Sequence, residues 1–365
     1  MQSGDDFLLI RSLAPGERLH VIEGFRAGKL KRLARGVYYP TWNFRGLRSN
    51  QRSVLASGAQ GASGRHLVGR SAAAMWAYPH MLLSTTFRPE VRGRTSKYAD
   101  GRNIPDTHMT TTPFKGIEVT LTTPAVTVID VARWHGLYEA VRLGDILARK
   151  GKLTRADLAE AVAARSHFAN IERARTAAIL VNDRSESPRE SDVKVSLHLN
   201  NIKGFEQQVT ITNYRGVRIA RLDFLNREHS VGIEYDGRGK TWGQYGLSAE
   251  EAANNELSRQ RDLECEGIFV VRVTNYTYTN DDWLAQLRRA LKVNHGREFP
   301  ADRCLPYTKG SPHLLVFAAD SSQILEINGG PLQSAAKTKS LRTPAQCPQR
   351  SRRPAASSRA PNRSA

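Results

Sequence analysis

The chain has 365 residues and a formal net charge of +19, from 54 Lys and Arg against 35 Asp and Glu. Its length exceeds one average domain, and a hydrophobic share of 40% suffices for packed cores, so we expect two or three domains. The positive charge favours an anionic partner, with nucleic acid first and an anionic membrane surface second.

Other features of the composition exclude several classes of protein. No apolar run approaches the roughly 18 residues that cross a bilayer. The N-terminus lacks the pattern of a signal peptide, and three scattered cysteines build neither a disulfide framework nor a zinc site. We therefore expect a cytoplasmic protein that does not span a membrane and that binds a polyanion.

The first predicted unit, residues 1–45, is a helix followed by a basic β-hairpin. Leu19, Ile22 and Phe25 recur at helical spacing, and Gly28 ends the helix. This outline is typical of a winged helix-turn-helix, in which the helix enters the major groove and the hairpin meets phosphates. The candidate DNA-binding residues of the hairpin are Lys29, Lys31, Arg32 and Arg35. The alternative is an exposed helix and hairpin whose charges are merely solvated.

The second predicted unit, residues 60–180, is a mixed α/β scaffold or partner surface. A strand starting at His66 leads into an Ala-rich helix capped by Ser71. A Thr/Val-rich strand then precedes a helix that Pro124 opens, and two more helical runs follow. We assign Asp130 and Asp145 to caps or to the surface. The unit shows no reactive constellation.

The third predicted unit, residues 183–295, has the element order α-β-β-β-α-β-α. Pro188 opens its first helix, and the period-2 runs that follow are strands. This order predicts a mixed sheet with helices on its faces. Residues 300–365 are rich in Ser, Ala, Pro and Arg and predict a disordered basic tail.

The run "VGIEYDG" at residues 231–237 places two acids, Glu234 and Asp236, on one face of a strand. Like charges this close repel, so that face lies open in water or a cation belongs there. If Leu225 pairs with Ser230 across the preceding loop, Asp223 lies diagonal to Glu234, at about 7–8 Å. Gly232 would then leave open space between the acids. The apolar residues of the other face would be Leu222, Phe224, Val231, Ile233 and Tyr235.

Clustered carboxylates in a basic protein suit Mg²⁺, with Mn²⁺ as a substitute, because such an ion takes few protein oxygens and leaves positions for water and phosphate. The ion would activate water and clamp a phosphodiester. The alternative is a solvated acidic strand face that pairs with Arg221 or Arg238.

Five segments of the third unit, "SPRES", "RLDF", "GIEYDG", "LSRQRDLECEG" and "FVVRVT", resemble in order a domain related to the very-short-patch-repair endonucleases of the PD-(D/E)XK superfamily. The resemblance covers about 110 residues and implies a restriction-endonuclease-like αβββαβ fold. It implies Asp223 and Glu234 as catalytic metal ligands and Glu190 as a third acid. Arg259 and Arg261 resemble basic positions that face the site and the DNA.

The sequence departs from this family at two positions. Asp236 stands where the superfamily usually has a catalytic Lys, and Lys240 is the nearest remaining cation. Either the catalytic cation has migrated to Lys240, or hydrolysis has weakened and binding remains.

The segments "GKLKRLARGVYYP", "GRSAAAMWAYP" and "TTPAVTVIDVAR" are similar to AbiEi-type antitoxin-like proteins. That resemblance implies a winged helix that binds operator DNA, and it adds a toxin or another protein as a partner. We therefore expect an α+β protein that binds DNA and carries a Mg²⁺-dependent endonuclease-like domain. The alternatives are an antitoxin-like transcriptional repressor whose nuclease-like domain is inactive, and a protein that acts on RNA.

Overall fold

The computed structural model describes residues 7–77, 86–93, 98–236, 249–305 and 307, and the structural statements below refer to these residues. They contain both helices and strands, which confirms the α+β class. Lys240, Arg238 and Ser248, at the start of a predicted helix, lie outside them, and so do residues 306 and 308–365 of the predicted basic tail. The prediction of disorder from residue 300 was wrong at its start, because Cys304 and Leu305 form a strand that pairs with Ile211 and Thr210.

The first region is a helix beside a small antiparallel sheet. Its elements are β1 (Leu8–Leu9), α1 (Pro15–Arg26), β2 (Leu30–Ala34) and β3 (Val37–Pro40), with the sheet order β1-β3-β2. Proline opens α1, and Gly28 follows it at φ +73°, a left-handed conformation that terminates helices. The predicted helix and hairpin are therefore confirmed.

The next elements connect the hairpin to the middle of the chain. They are α2 (Thr41–Gly46), α3 (Ser49–Ala62), α4 (Gly69–Ala77), β4 (Met109–Phe114) and β5 (Ile117–Thr122). The sequence did not predict α2, α3 or β4.

The predicted cap of the Ala-rich helix was wrong. The helix α4 begins at Gly69, and Ser71 is buried in its first turn, where its hydroxyl receives a hydrogen bond from the backbone N–H of Glu90. The Glu90 carboxylate instead accepts the backbone N–H of Arg70 at 2.7 Å. A residue 20 positions along the chain thus caps this helix, which no local pattern indicates.

Four helices complete the middle region: α5 (Pro124–His135), α6 (Leu137–Arg149), α7 (Arg155–Ala163) and α8 (Ile171–Leu180). The first three match the predictions, while α8 was not predicted. Surface or cap roles for two aspartates were wrong, because both are 1% exposed. Asp130 forms ion pairs with Arg133 at 3.0 Å and with Arg165 at 3.5 Å, and Asp145 accepts from Lys194.

The C-terminal region has the predicted order of helices and strands. Its elements are α9 (Pro188–Leu199), β6 (Phe205–Thr212), β7 (Arg218–Asn226), β8 (Val231–Tyr235), α10 (Ala249–Cys265), β9 (Phe269–Val273), α11 (Asn275–Thr279), α12 (Asp282–Val293) and β10 (Cys304–Leu305). The sheet order is β10-β6-β7-β8-β9, in which β8 and β9 are parallel and the other pairs are antiparallel. The mixed sheet is confirmed, whereas α11 and β10 were not predicted.

The sheet has a hydrophobic core on each face. Val271 packs with α9 and α12 on one face, and Ile268 packs with Leu263 of α10 on the other. The prediction that Leu222 shares a face with Phe224 was wrong, because these residues lie in opposite cores. The alternation is broken between Leu222 and Phe224. At the same point of the neighbouring strand β6, Gln208 has a φ of +57°, which is not an extended conformation.

One continuous core runs from Phe7 through the middle region to Val195 of α9. The predicted boundary near residue 45 therefore does not separate two cores. Helix α9 is shared, since Val193 and Leu197 belong to the core of the sheet. Lys194, between them, donates to both carboxylate oxygens of Asp145 on α6 at 2.9 and 2.7 Å.

Candidate active site and nucleic-acid interface

The register of the β7–β8 hairpin decides which acids face one another. Leu225 pairs with Gly232, so the predicted pairing of Leu225 with Ser230 was wrong by two positions. The loop instead closes between Asn226 and Val231. A shift of two residues keeps each side chain on its face. The pairing ends at Phe224 and Ile233, and just beyond it the Asp223 carboxylate accepts the backbone N–H of Tyr235, which places it next to the Glu234–Tyr235 backbone.

Gly232 does not open space between the acids, contrary to the prediction. A Cβ atom at this position would lie 2.9 Å from Cδ1 of Leu222. Glycine is needed here because the Leu222 side chain packs over the strand.

Two arginines neutralise the acids of β8. Arg259 of α10 holds Glu234 with two hydrogen bonds, Nη1 to Oε1 at 2.5 Å and Nη2 to Oε2 at 2.8 Å. Arg272 lies beside Glu234 because β8 and β9 are paired in parallel, and it forms ion pairs with Asp236 at 3.0 Å and Glu234 at 3.7 Å. Glu256 of α10 bonds to both arginines. Glu234 and Asp236 are therefore paired with arginines of the chain itself and are not bare acids.

The charges of this cluster reinforce one another. Burial opposes the guanidinium charge of Arg259, but hydrogen bonds with Glu234 and Glu256 raise its pKa. Burial alone would raise the pKa of Glu256, yet the bonds from Arg259 and Arg272 lower it. Three carboxylates around two guanidiniums leave a net charge of −1.

Glu190, at the start of α9, lies near Asp223 and is 6% exposed. Its backbone N–H donates to the Ser187 hydroxyl, which caps the helix, and its Oε2 atom accepts from Gln208 Nε2 at 2.9 Å. Burial, and then the charge of Asp223, raise the pKa of Glu190 to about 7. The Oδ2 atom of Asp223 accepts the backbone N–H of Tyr235 at 2.8 Å. These two carboxylates therefore repel at the base of the site.

The predicted metal ligands Asp223, Glu234 and Glu190 are not assembled as a set of three. The described part of the chain holds no group of three or more His, Cys, Asp or Glu side chains that could hold a metal ion. Both oxygens of Glu234 are engaged by Arg259. Glu190 and Asp223 still fit Mg²⁺, which binds through one or two carboxylates and keeps several waters.

Of the two predicted basic residues on α10, only Arg259 faces the carboxylates. Arg261 is exposed to solvent, as expected for a residue two positions further on a helix, about 200° around its axis. Sequence reasoning missed Glu256 and Arg272. The position of Arg272 depends on the register of the β8–β9 pair, which no local pattern gives.

The basic hairpin differs from this site because its charges are open to solvent. Lys29, Lys31, Arg32 and Arg35 are exposed, and none of them forms a salt bridge with a residue in the described ranges. Lys31 lies 5.0 Å from the ring centroid of Phe44 in α2. Lys31 and Arg32 are adjacent on β2 and so point to opposite faces of the hairpin.

The surroundings of the hairpin are also basic. Residues 7–62 contain ten Lys and Arg against two Glu, a net charge of +8. Helix α1 beside the hairpin is almost entirely exposed, with only Val21 buried.

No protein-family model, curated protein or solved structure matches this chain. Among the described helices, none combines the length and the apolar character that crossing a membrane requires.

Proposed function

We propose that this protein binds duplex DNA through the β2–β3 hairpin and α1, and that its C-terminal sheet domain acts on the bound DNA with a divalent metal ion. The observation that carries DNA binding is the set of four exposed basic side chains that lack acidic partners in the described structure. Such side chains release counterions from the DNA when they contact phosphates, and this release drives binding.

The ordered geometry of the region supports this proposal. The hairpin is braced at its base by a hydrogen bond from Thr41 N to Lys29 O, at 3.0 Å. The ammonium group of Lys31 lies over the ring of Phe44. The exposed surface of α1 fits the role of a helix in the major groove. The basic side chains therefore lie on a rigid scaffold, which lowers the entropy lost on binding.

In the C-terminal domain, Glu190 and Asp223 would hold Mg²⁺ or Mn²⁺. When bound, the ion would acidify a water molecule and stabilise charge on a phosphodiester. The chain's own residues prepare that site: Gln208 orients Glu190, and the Tyr235 backbone orients Asp223. Glu190 is buried and Asp223 is half-buried, so water screens their repulsion only in part, and this repulsion favours a cation.

A second candidate is a repressor that binds DNA without cutting it. The bidentate contact between Arg259 and Glu234 favours this function, because it engages the carboxylate that the resemblance to the very-short-patch-repair endonucleases implies as a metal ligand. Asp236 in place of a catalytic Lys favours it as well. This function would retain an operator site and, with an antitoxin-like role, a toxin or another protein partner.

Titration of labelled duplex DNA over a range of salt concentrations tests DNA binding. Neutralising Lys31, Arg32 and Arg35 to Gln should flatten the log–log salt slope by about 0.9 for each lost phosphate contact. An unchanged slope would show that the hairpin does not contact DNA phosphates. A duplex RNA of the same length tests the choice of polymer, and tighter binding to RNA would overturn the assignment to DNA.

Incubation with supercoiled plasmid, in Mg²⁺, in Mn²⁺ and in EDTA, separates the two candidates. The endonuclease proposal expects nicking that requires metal and that Glu190→Gln and Asp223→Asn abolish while DNA binding persists. Binding without nicking in any metal would leave the repressor, for which a reporter behind the protein's own promoter is the next assay.

A further inference from the structure

The turn between β6 and β7, residues 213–217, forms a hairpin tip together with Arg218 at the start of β7, in the same domain as the carboxylates. Asn213 organises it, since its Oδ1 atom accepts the backbone N–H groups of Arg215 at 2.9 Å and Val217 at 3.0 Å. The Asn213 backbone N–H donates to Val217 O at 2.8 Å, and Gly216 takes φ +74° to complete the turn. The tip is thus a rigid projection.

This rigid tip exposes large side chains. Tyr214 is 70% exposed and Val217 is 54% exposed, in a turn that backbone hydrogen bonds hold in place. The guanidinium of Arg215 lies 5.1 Å from the ring centroid of Tyr214. A cation stacked on an aromatic ring is a preformed surface for a sugar, a base or a phosphate.

The charge of the tip is purely positive. Residues 213–218 contain Arg215 and Arg218 and no acid. Neither arginine forms a salt bridge with a residue in the described structure. Arg218 also lies close to Arg221, and partial burial together with this neighbour lowers the pKa of Arg218. Arg221 itself is paired with Glu186 at 2.8 Å, so Arg215 and Arg218 are the tip cations that an anionic ligand would contact.

Strand β7 connects the tip to the carboxylates. Asp223 lies five residues after Arg218, about 17 Å along an extended strand. That length corresponds to about five nucleotide steps of a B-DNA strand, at 3.4 Å each. A duplex that contacts the tip and follows β7 would cover this length in about five nucleotide steps.

We propose that the β6–β7 tip is a second DNA contact, in which Arg215 and Arg218 bind phosphates and the Tyr214 ring packs on the adjacent sugar. It holds the sugar–phosphate backbone along β7, toward carboxylates that would otherwise repel it. The inference deepens the proposed function and rests on it, because it concerns how the same DNA reaches the C-terminal domain.

Salt titrations of the full chain test this contact. Arg215→Gln with Arg218→Gln should reduce the magnitude of the log–log slope by up to about 1.8, at 0.9 for each phosphate contact. A matched control removes two exposed charges from α12, Arg289→Gln with Lys292→Gln, and should leave the slope unchanged. Circular dichroism and melting curves confirm that each variant is folded.

The ring has a separate test. Tyr214→Ala should weaken binding about fivefold or more at fixed salt, whereas Tyr214→Phe should bind as the wild type does. If the log–log salt slope of the β2–β3 hairpin variant flattens while the tip variants behave like the α12 control, the second contact is refuted. That result would leave the proposed function in place. If the wild type shows no salt-dependent binding to DNA, both proposals fall.

Discussion

The cations of the basic hairpin are exposed, whereas the cations of the carboxylate site are paired with acids. Around the hairpin, Lys29, Lys31, Arg32 and Arg35 are exposed and without acidic partners in the described structure. In the C-terminal domain, Arg259 and Arg272 bind the neighbouring carboxylates. The first arrangement leaves charges available to a partner, and the second uses them inside the molecule.

The difference follows from solvation. An exposed cation keeps its hydration and costs the fold almost nothing, so the protein can carry many of them for a ligand. A buried charge must be paired, because removing its partner leaves it desolvated and unsatisfied. From the sequence alone, an exposed arginine and a buried arginine look the same. Only their burial in the structure shows which one is available to a partner.

The largest expected effect comes from breaking the buried pair that joins the middle region to α9. Lys194→Met leaves Asp145 buried without its cation, so the free energy of unfolding should fall by about 3–5 kcal/mol. Urea unfolding measures the loss. The double variant Asp145→Leu with Lys194→Met should recover most of it, and a loss below about 1 kcal/mol in Lys194→Met would contradict the pairing.

The next effect is the pH dependence caused by Glu190. Its folded pKa of about 7 exceeds the unfolded value near 4.5, so the folded state holds its proton more tightly. The resulting penalty is absent below pH 4.5 and grows as pH rises through 7, to a value on the order of 3 kcal/mol. In EDTA, the stability of Glu190→Gln relative to wild type should therefore increase between pH 5 and pH 8.

A divalent metal sharpens that measurement. If Glu190 and Asp223 bind Mg²⁺, millimolar Mg²⁺ should stabilise the wild type at pH 8 and leave Glu190→Gln unchanged. A stability difference that does not vary with pH would show that Glu190 ionises normally.

A smaller effect is expected at Glu234. Because Arg259 holds both of its oxygens, Glu234→Gln should destabilise the protein in EDTA by about 1–3 kcal/mol. The repulsion of unpaired acids would give the opposite sign. Glu256→Gln is the matched control and should cost less, since its side chain is 42% exposed. If Glu234→Gln is as stable as the wild type in EDTA but is no longer stabilised by Mg²⁺, Glu234 would be a metal ligand.

The smallest effect belongs to the hairpin. Replacing Lys31, Arg32 and Arg35 together by Gln should change the free energy of unfolding by no more than about 0.5 kcal/mol, because none of the three forms a salt bridge within the described ranges. Thermal melting measures this directly. A substantial loss would mean that these charges stabilise the fold, and the contrast between the two regions would disappear.

Much of the fold was predictable from local patterns. Proline at the start of α9, the alternation along β7 and β8, and Gly28 after α1 are signals carried by neighbouring residues, and the structure confirms the elements they predict. The short α11 and β10 were missed because five-residue and two-residue elements have too few positions to establish a period.

The sequence by itself also determined that Glu234 lies in a strand with Asp236 two positions later, directly after its end, and that the chain carries a large excess of positive charge. Only the tertiary structure decided which cations meet those acids. Arg272 arrives through the parallel pairing of β9 with β8, and Arg259 arrives from α10 across the sheet. Local periodicity sets the direction in which a side chain points, whereas its charged neighbours depend on strand pairing and helix packing between segments far apart in the chain.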